Sequence, residues 1–198
     1  MSLNIAVMVS GGGTNLQSII DAVKSGVLKS KVKVVISNNK NAYGLIRAKK
    51  ENIESIHISK KDFKNSAEYE KELLKILKDR EIDLIVLAGY LGIIPESIVS
   101  EFKDKIINIH PSLIPSFCGK DFYGIKVHEK ALERGVKITG ATTHFVDSGI
   151  DTGKIIKQKA IEIKEGTTAK ELQEQVLEVE HKILVESIKN IEQNKVNN

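Results

Sequence analysis

Positions 5–9 are apolar without interruption, predicting a first strand over 4–10 that is buried on both faces. Leu16, Ile19, Ile20 and Val23 then recur at the spacing of one helical face. The same switch of period repeats. Strand-like runs cover 32–37, 55–59, 83–88 and 106–109. Helical patterns cover 43–51 and 66–80, where Tyr69, Leu73 and Leu77 form the buried stripe, and a short helix runs from Pro95 to Phe102. Strands and helices alternating at these intervals imply right-handed βαβ crossovers, a parallel sheet and helices on both faces.

Beyond residue 136 the pattern changes. Runs at 138–146 and 155–163 are joined by a loop too short for a parallel crossover, so they predict antiparallel strands added to the sheet. Thr168 and Glu171 form a capping-box signature. Leu172, Val176, Val179, Ile183 and Leu184 then trace a last helix, and the polar tail from Asn190 is expected to fray. The resulting fold class is α/β: an open, mainly parallel Rossmann-like sheet with helices on both faces and an antiparallel C-terminal extension. No repeat, low-complexity tract or Pro/Ser linker divides it. The expectation is one domain over 1–198, with a first half (1–100) and a functional second half (101–198).

Composition narrows the function. The 198 residues are 41% hydrophobic and 28% charged, within the range of a globular domain. One cysteine, Cys118, excludes an internal disulfide and a Cys-cluster zinc site. The apolar runs are too short to span a bilayer, and the first residues lack a signal-peptide pattern, so a cytoplasmic location is expected. The net charge of +4 suggests nucleic acid, yet Arg47, Arg80 and Arg134 are the only arginines among 30 basic residues. The lysines interleave with glutamates, as on solvated helix faces, and no stacking aromatics accompany them. Anionic small molecules fit this balance better.

Two segments carry chemistry. Strand one runs into Ser10, Gly11, Gly12, Gly13, Thr14 and Asn15 directly before a helix, so backbone N–H groups and a helix N-terminus can hold a phosphate. No Gly-Lys-Ser/Thr follows, which excludes a Walker A loop; Leu16 and the Ser37-Asn38-Asn39 strand end make a poor dinucleotide fingerprint. At the end of the fifth run, Asn108 and His110 leave the same strand face before Pro111 and Pro115. An amide and an imidazole there can serve a developing oxyanion and move protons. The 88–94 segment offers backbone polar groups among apolar side chains, a lining for a flat heteroaromatic ligand. The 147–153 loop carries Asp147 and Asp151, either of which can face His110 or solvent. His144 can be a core histidine.

Together these segments resemble the folate-dependent phosphoribosylglycinamide formyltransferases of purine synthesis, from the glycine loop to the last helix. The family-like motifs stand at 10–17, at 108–115, at His144-Phe145-Val146 and at Asp151-Thr152-Gly153. The resemblance implies Asn108, His110 and Asp151 as catalytic residues. It implies Gly11, Gly12, Gly13, Thr14 and Asn15 around the substrate phosphate, with Glu180 at the ribose. Leu91, Gly92, Ile93 and Ile94, with Asn108 and Asp147, would receive the folate. It further implies 10-formyltetrahydrofolate as cosubstrate, phosphoribosylglycinamide as acceptor, no metal, and a monomer or weak homodimer.

Some positions depart from that pattern. A family arginine is replaced at Gly92, and another falls on Ser66, with Lys64 nearby. Residues 116–124 form a longer loop, and Lys154 replaces a proline after Gly153. By the same likeness, Asp151 would keep His110 charged for attack on the formyl carbon. Formyltetrahydrofolate hydrolases and methionyl-tRNA formyltransferases share the Asn-x-His and Asp pattern. The glycine loop and the length favour the transformylases, because each rival is expected to carry an additional domain. A non-catalytic phosphosugar-binding module would use the glycine loop alone.

Overall fold

The computed structural model describes residues 2–194. Seven strands form one sheet: β1 (Asn4–Val9), β2 (Lys31–Ser37), β3 (Glu54–His57), β4 (Leu84–Leu87), β5 (Ile106–His110), β6 (Ile138–Phe145) and β7 (Ile155–Glu162). Their order is β3-β2-β1-β4-β5-β6-β7. β1 to β5 are mutually parallel, while β6 runs antiparallel to β5 and β7 antiparallel to β6. This is the expected α/β architecture.

Among the described residues there are six α-helices: α1 (Thr14–Lys24), α2 (Tyr43–Lys50), α3 (Ser66–Asp79), α4 (Glu96–Glu101), α5 (Ile125–Arg134) and α6 (Ala169–Asn194). Central β1 is buried on both faces, which accounts for its unbroken apolar run. Ile5, Val7 and Val9 join the core layer containing Leu16 and Ile19 of α1, Leu45 of α2 and Val176 and Ile183 of α6. Ala6 and Met8 join the opposite layer, with Tyr69 and Leu73 of α3 and Ile98 of α4. The sheet grows from β1 in both directions, to β2 on one side and β4 on the other. The crevice at the carboxyl ends of β1 and β4 is therefore the topological switch point where such sheets receive ligands.

Two features differ from the sequence reading. Helix α5 carries few apolar residues, and its buried face consists of Val127, His128 and Ala131. The histidine breaks the apolar stripe that periodicity detects. The second difference is at the C-terminus, where α6 continues through Asn190 to Asn194 without fraying; residues 195–198 lie outside the described residues. The cause is Glu192, which is buried and accepts hydrogen bonds from the Ser30 N–H at 2.8 Å, the Lys29 N–H at 3.3 Å and the Ser30 hydroxyl. A charged residue there reads as surface until its partners on another element are known. At the other end of α6 the capping box forms: Glu171 accepts from the Thr168 N–H at 2.8 Å, and Thr168 Oγ1 accepts from the Glu171 N–H at 3.3 Å.

The Glu192 anchor has a measurable consequence. Glu192→Ala leaves buried donors at Ser30 without an acceptor and should destabilise the protein by about 1–3 kcal/mol. Urea denaturation checks this, and an unchanged midpoint would show that the anchor carries no net stability.

Candidate active site

A single cleft of about 890 Å³ lies at the carboxyl ends of β1, β4 and β5 and is lined by every residue singled out above for catalysis or binding. Its first wall is the glycine loop. Gly13 caps α1 at φ 70, and no side chain occupies the helix N-terminus. A Cβ at Gly13 would stand 2.7 Å from the Gly44 Cα, and one at Gly44 would stand 2.8 Å from Val9 Cγ2, so both glycines are required by close approach. At Gly11 and Gly12 a Cβ would meet nothing within 4 Å, which leaves their backbone open to the cleft. Arg47 braces the loop from behind. Its Nε donates to the Gly12 carbonyl at 2.8 Å and its Nη1 to Gln17 Oε1 at 3.0 Å, while its guanidinium lies 5.1 Å from the Tyr43 ring centroid. This brace has no local signature, because Arg47 lies 35 residues from Gly12.

Beside the loop, Asn15 Nδ2 donates to Glu180 Oε2 at 2.6 Å. Glu180 is buried, and burial pushes its carboxyl up to about 7 against the opposing pull of Asn15. Asn15 Oδ1 is buried with no protein partner among the described residues. The pair thus offers polar groups beside a phosphate-sized cradle.

The second wall carries Asn108, His110, His144 and Asp151. Pairing of β5 with β6 sets Asn108 opposite His144 and His110 opposite Thr142. His144 Nδ1 faces the Phe145 carbonyl at 2.8 Å, which fixes a donor on that nitrogen. In the neutral ring Nε2 is then an acceptor, and Asn108 Nδ2 donates to it at 3.1 Å. His144 is therefore an orienting member of the site and not an isolated core residue. The second N–H of the Asn108 amide points to Asp151 Oδ1 at the long distance of 3.5 Å.

Asp151 sits in the left-handed region at φ 57, a conformation that Asp tolerates better than most residues. Its Oδ2 lies 3.6 Å from His110 Nδ1 and accepts from the Gly119 N–H at 2.9 Å, while its Oδ1 lies 3.6 Å from His144 Nε2. Burial would raise the Asp151 pKa, but the two imidazoles and the Gly119 N–H outweigh it and hold the carboxyl below its usual value. His110 behaves in the opposite way to the sequence expectation. Burial lowers its pKa and outweighs the upward pull of the Phe117 carbonyl and Asp151. The ring thus favours the neutral state, although Nε2 faces the Phe117 carbonyl at 2.9 Å and Nδ1 faces Asp151, so both nitrogens have acceptors for protons.

The 116–124 loop touches both members of this pair, through the Phe117 carbonyl and the Gly119 N–H. Cys118 lies between them; burial and Asp151 raise its thiol pKa, and its Sγ donates to the Pro115 carbonyl at 3.3 Å. His128, which sequence reasoning missed together with α5, is buried in the cleft wall, where burial and His110 push it down to about 4.

The third wall is the 88–94 segment. Ser10 Oγ accepts from the Leu91 N–H at 2.8 Å and ties this segment to the glycine loop. Leu91 and Ile93 are 64% and 82% exposed at the cleft mouth and give it an apolar rim. Asp147 closes the far side, held by the Gly149 N–H at 3.0 Å and the Thr152 hydroxyl at 2.6 Å. Ser66 and Lys64 do not line the cleft.

The site is a glycine loop at the switch point of a mainly parallel sheet, with Asn108 and His110 at the end of β5 and Asp151 from the loop after β6. Comparison with known proteins gives the family. Residues 3–188 match the formyl transferase family. A phosphoribosylglycinamide formyltransferase of Haemophilus influenzae is 40% identical over 90% of this chain and 82% of its own length. A chloroplastic phosphoribosylglycinamide formyltransferase of Vigna unguiculata is 39% identical over 93% of this chain, which spans 59% of that relative's length. Among solved structures, glycinamide ribonucleotide transformylase 1 of Geobacillus kaustophilus superposes with a TM-score of 0.89 at 39% identity, covering 96% of this chain and 99% of that one. The chain belongs to the formyl transferase family, and these relatives place it beside the phosphoribosylglycinamide formyltransferases.

The electrostatics of the pair can be measured directly. His110 should titrate below the ordinary value of about 6.5 in an NMR experiment. Asp151→Asn removes an upward influence, so the His110 pKa should fall further. An unchanged value would mean that Asp151 acts on the loop alone.

Proposed function

We propose that this protein transfers a formyl group from 10-formyltetrahydrofolate to the amine of phosphoribosylglycinamide, as a cytoplasmic enzyme of purine synthesis acting on small molecules without a metal. The observation that carries the reading is the convergence of Asn108, His110, His144 and Asp151 on one cleft wall, opposite an open glycine loop. The first half of the chain supplies the phosphate cradle at Gly11, Gly12, Gly13, Thr14 and Asn15, with Glu180 of α6 at the ribose. The second half supplies the reacting groups. The pterin lies against the backbone of Leu91, Gly92, Ile93 and Ile94, flanked by Asn108 and Asp147. The cleft's volume lies toward the upper end of the range for small-molecule sites, roughly 300–1,000 Å³.

In the reaction the acceptor amine attacks the formyl carbon. A C–N bond forms, the carbonyl oxygen becomes an oxyanion, and the bond from carbon to N10 then breaks as a proton reaches N10. Asn108 has one N–H committed to His144, while its long contact to Asp151 is easily exchanged for the oxyanion. His110 starts neutral, and a swing of its Nε2 from the Phe117 carbonyl to the substrate lets it take up the proton that the amine loses and pass it on to N10. The imidazolium so formed keeps the Asp151 carboxylate as its acceptor at Nδ1. Burial thus keeps the base free of its proton at rest, and Asp151 lowers the cost of charging it in the reaction.

An absorbance assay of 10-formyltetrahydrofolate with and without phosphoribosylglycinamide tests this reading. Deformylation should depend on the amine, and His110→Ala should slow it by about 10²-fold or more. Deformylation that ignored the amine would make the protein a hydrolase.

A further inference from the structure

The charges around the cleft are unbalanced. Asp121, Asp147, Asp151, Glu174 and Glu180 all line it, yet Lys120 is the only lysine or arginine among the described lining residues. The glycine-loop wall supplies no other cation, because the Arg47 guanidinium is engaged with the Gly12 carbonyl and Gln17 and does not line the cleft. The 88–94 wall cannot supply one either. A Cβ at Gly92 would stand 2.6–2.7 Å from the ring and hydroxyl of Tyr90, whose side chain packs inward against the core layer of Tyr69. A side chain at position 92 would have to displace the Tyr90 ring.

Lys120 itself is unencumbered. It is exposed, and its ammonium makes no ion pair or hydrogen bond among the described residues. Its neighbours in the loop are not free. Gly119 donates its N–H to Asp151 Oδ2, and the Phe117 carbonyl lies against His110 Nε2. A contact made by Lys120 would therefore fix the loop that sets the positions of His110 and Asp151.

We propose that Lys120 holds an anionic group of a bound substrate, a phosphate or a carboxylate, and so makes anion binding and the alignment of His110 with Asp151 parts of one event. This rests on the reading under Proposed function, in which both ligands are anionic. The phosphate belongs to the acceptor and the carboxylates to the glutamate tail of the folate. An ammonium is suited to either, since it acts as a point charge without the planar geometry of a guanidinium.

Steady-state kinetics of wild type, Lys120→Met and Lys120→Arg, with each substrate varied in turn, test the proposal. Lys120→Met should raise one KM by about tenfold or more, and Lys120→Arg should restore most of it. A rise for phosphoribosylglycinamide assigns the phosphate. A rise for 10-formyltetrahydrofolate that disappears with a donor lacking the glutamate assigns the carboxylates. The affected KM should also depend less on ionic strength in Lys120→Met than in wild type. Both KM values unchanged, or a fall in kcat alone, would overturn the proposal and leave Lys120 a loop residue. A wild type that transfers no formyl group would instead contradict the proposed reaction. Titration of wild type and Lys120→Met with folic acid and with ribose 5-phosphate then decides on Lys120, with about tenfold weaker binding of one ligand supporting it and equal binding of both overturning it.

Discussion

The carboxylate of Asp151 lies 3.6 Å from each of two imidazoles, accepts the Gly119 N–H and stands at the end of the Asn108 amide. These four groups come from β5, from β6 and from the 116–124 loop, and Asp151 in the loop after β6 joins them. A neutral residue at 151 would leave His110 and the Gly119 N–H without their common charged acceptor. In a buried setting such losses are costly, because water does not replace the missing partner. The sheet exists in a form that makes this hub possible: antiparallel pairing of β6 with β5 puts His144 opposite Asn108, and the loop after β6 returns Asp151 to the same end.

Burial has opposite consequences for the ionisable groups of this cleft. It suppresses the charge on His110 and His128 and raises Glu180 to about 7, while Asp151 keeps its charge because donors surround it. One anionic carboxylate thus stands beside a His110 imidazole that burial biases toward its neutral form. That division suits proton transfer better than a permanently charged His110, since a base that already carries a proton cannot accept one.

Much of this was legible in the chain itself. The run at 5–9 announced a doubly buried strand, and the period change after 136 announced the antiparallel strands. The glycines before α1 and the two-residue spacing of Asn108 and His110 located two walls of the cleft. What remained hidden depends on contacts between distant residues. The brace of Arg47 on Gly12, the anchor of Glu192 on Ser30 and the occupation of space beside Gly92 by Tyr90 have no local signature. Helix α5 escaped notice because a histidine occupies its buried face. The upward pull of Asp151 on His110 can be inferred from a motif, whereas the burial that outweighs it has no local signature.

The central claim is that one cleft brings the phosphate of the acceptor and the site of formyl transfer together across the switch point of the sheet. A crystal structure with phosphoribosylglycinamide bound tests it most directly. The account predicts phosphate oxygens within hydrogen-bond reach of the N–H groups of Gly11 to Asn15, and the substrate amine on the side of Asn108 and His110. A phosphate bound elsewhere with the glycine loop empty, or an amine directed away from Asn108 and His110, would contradict it.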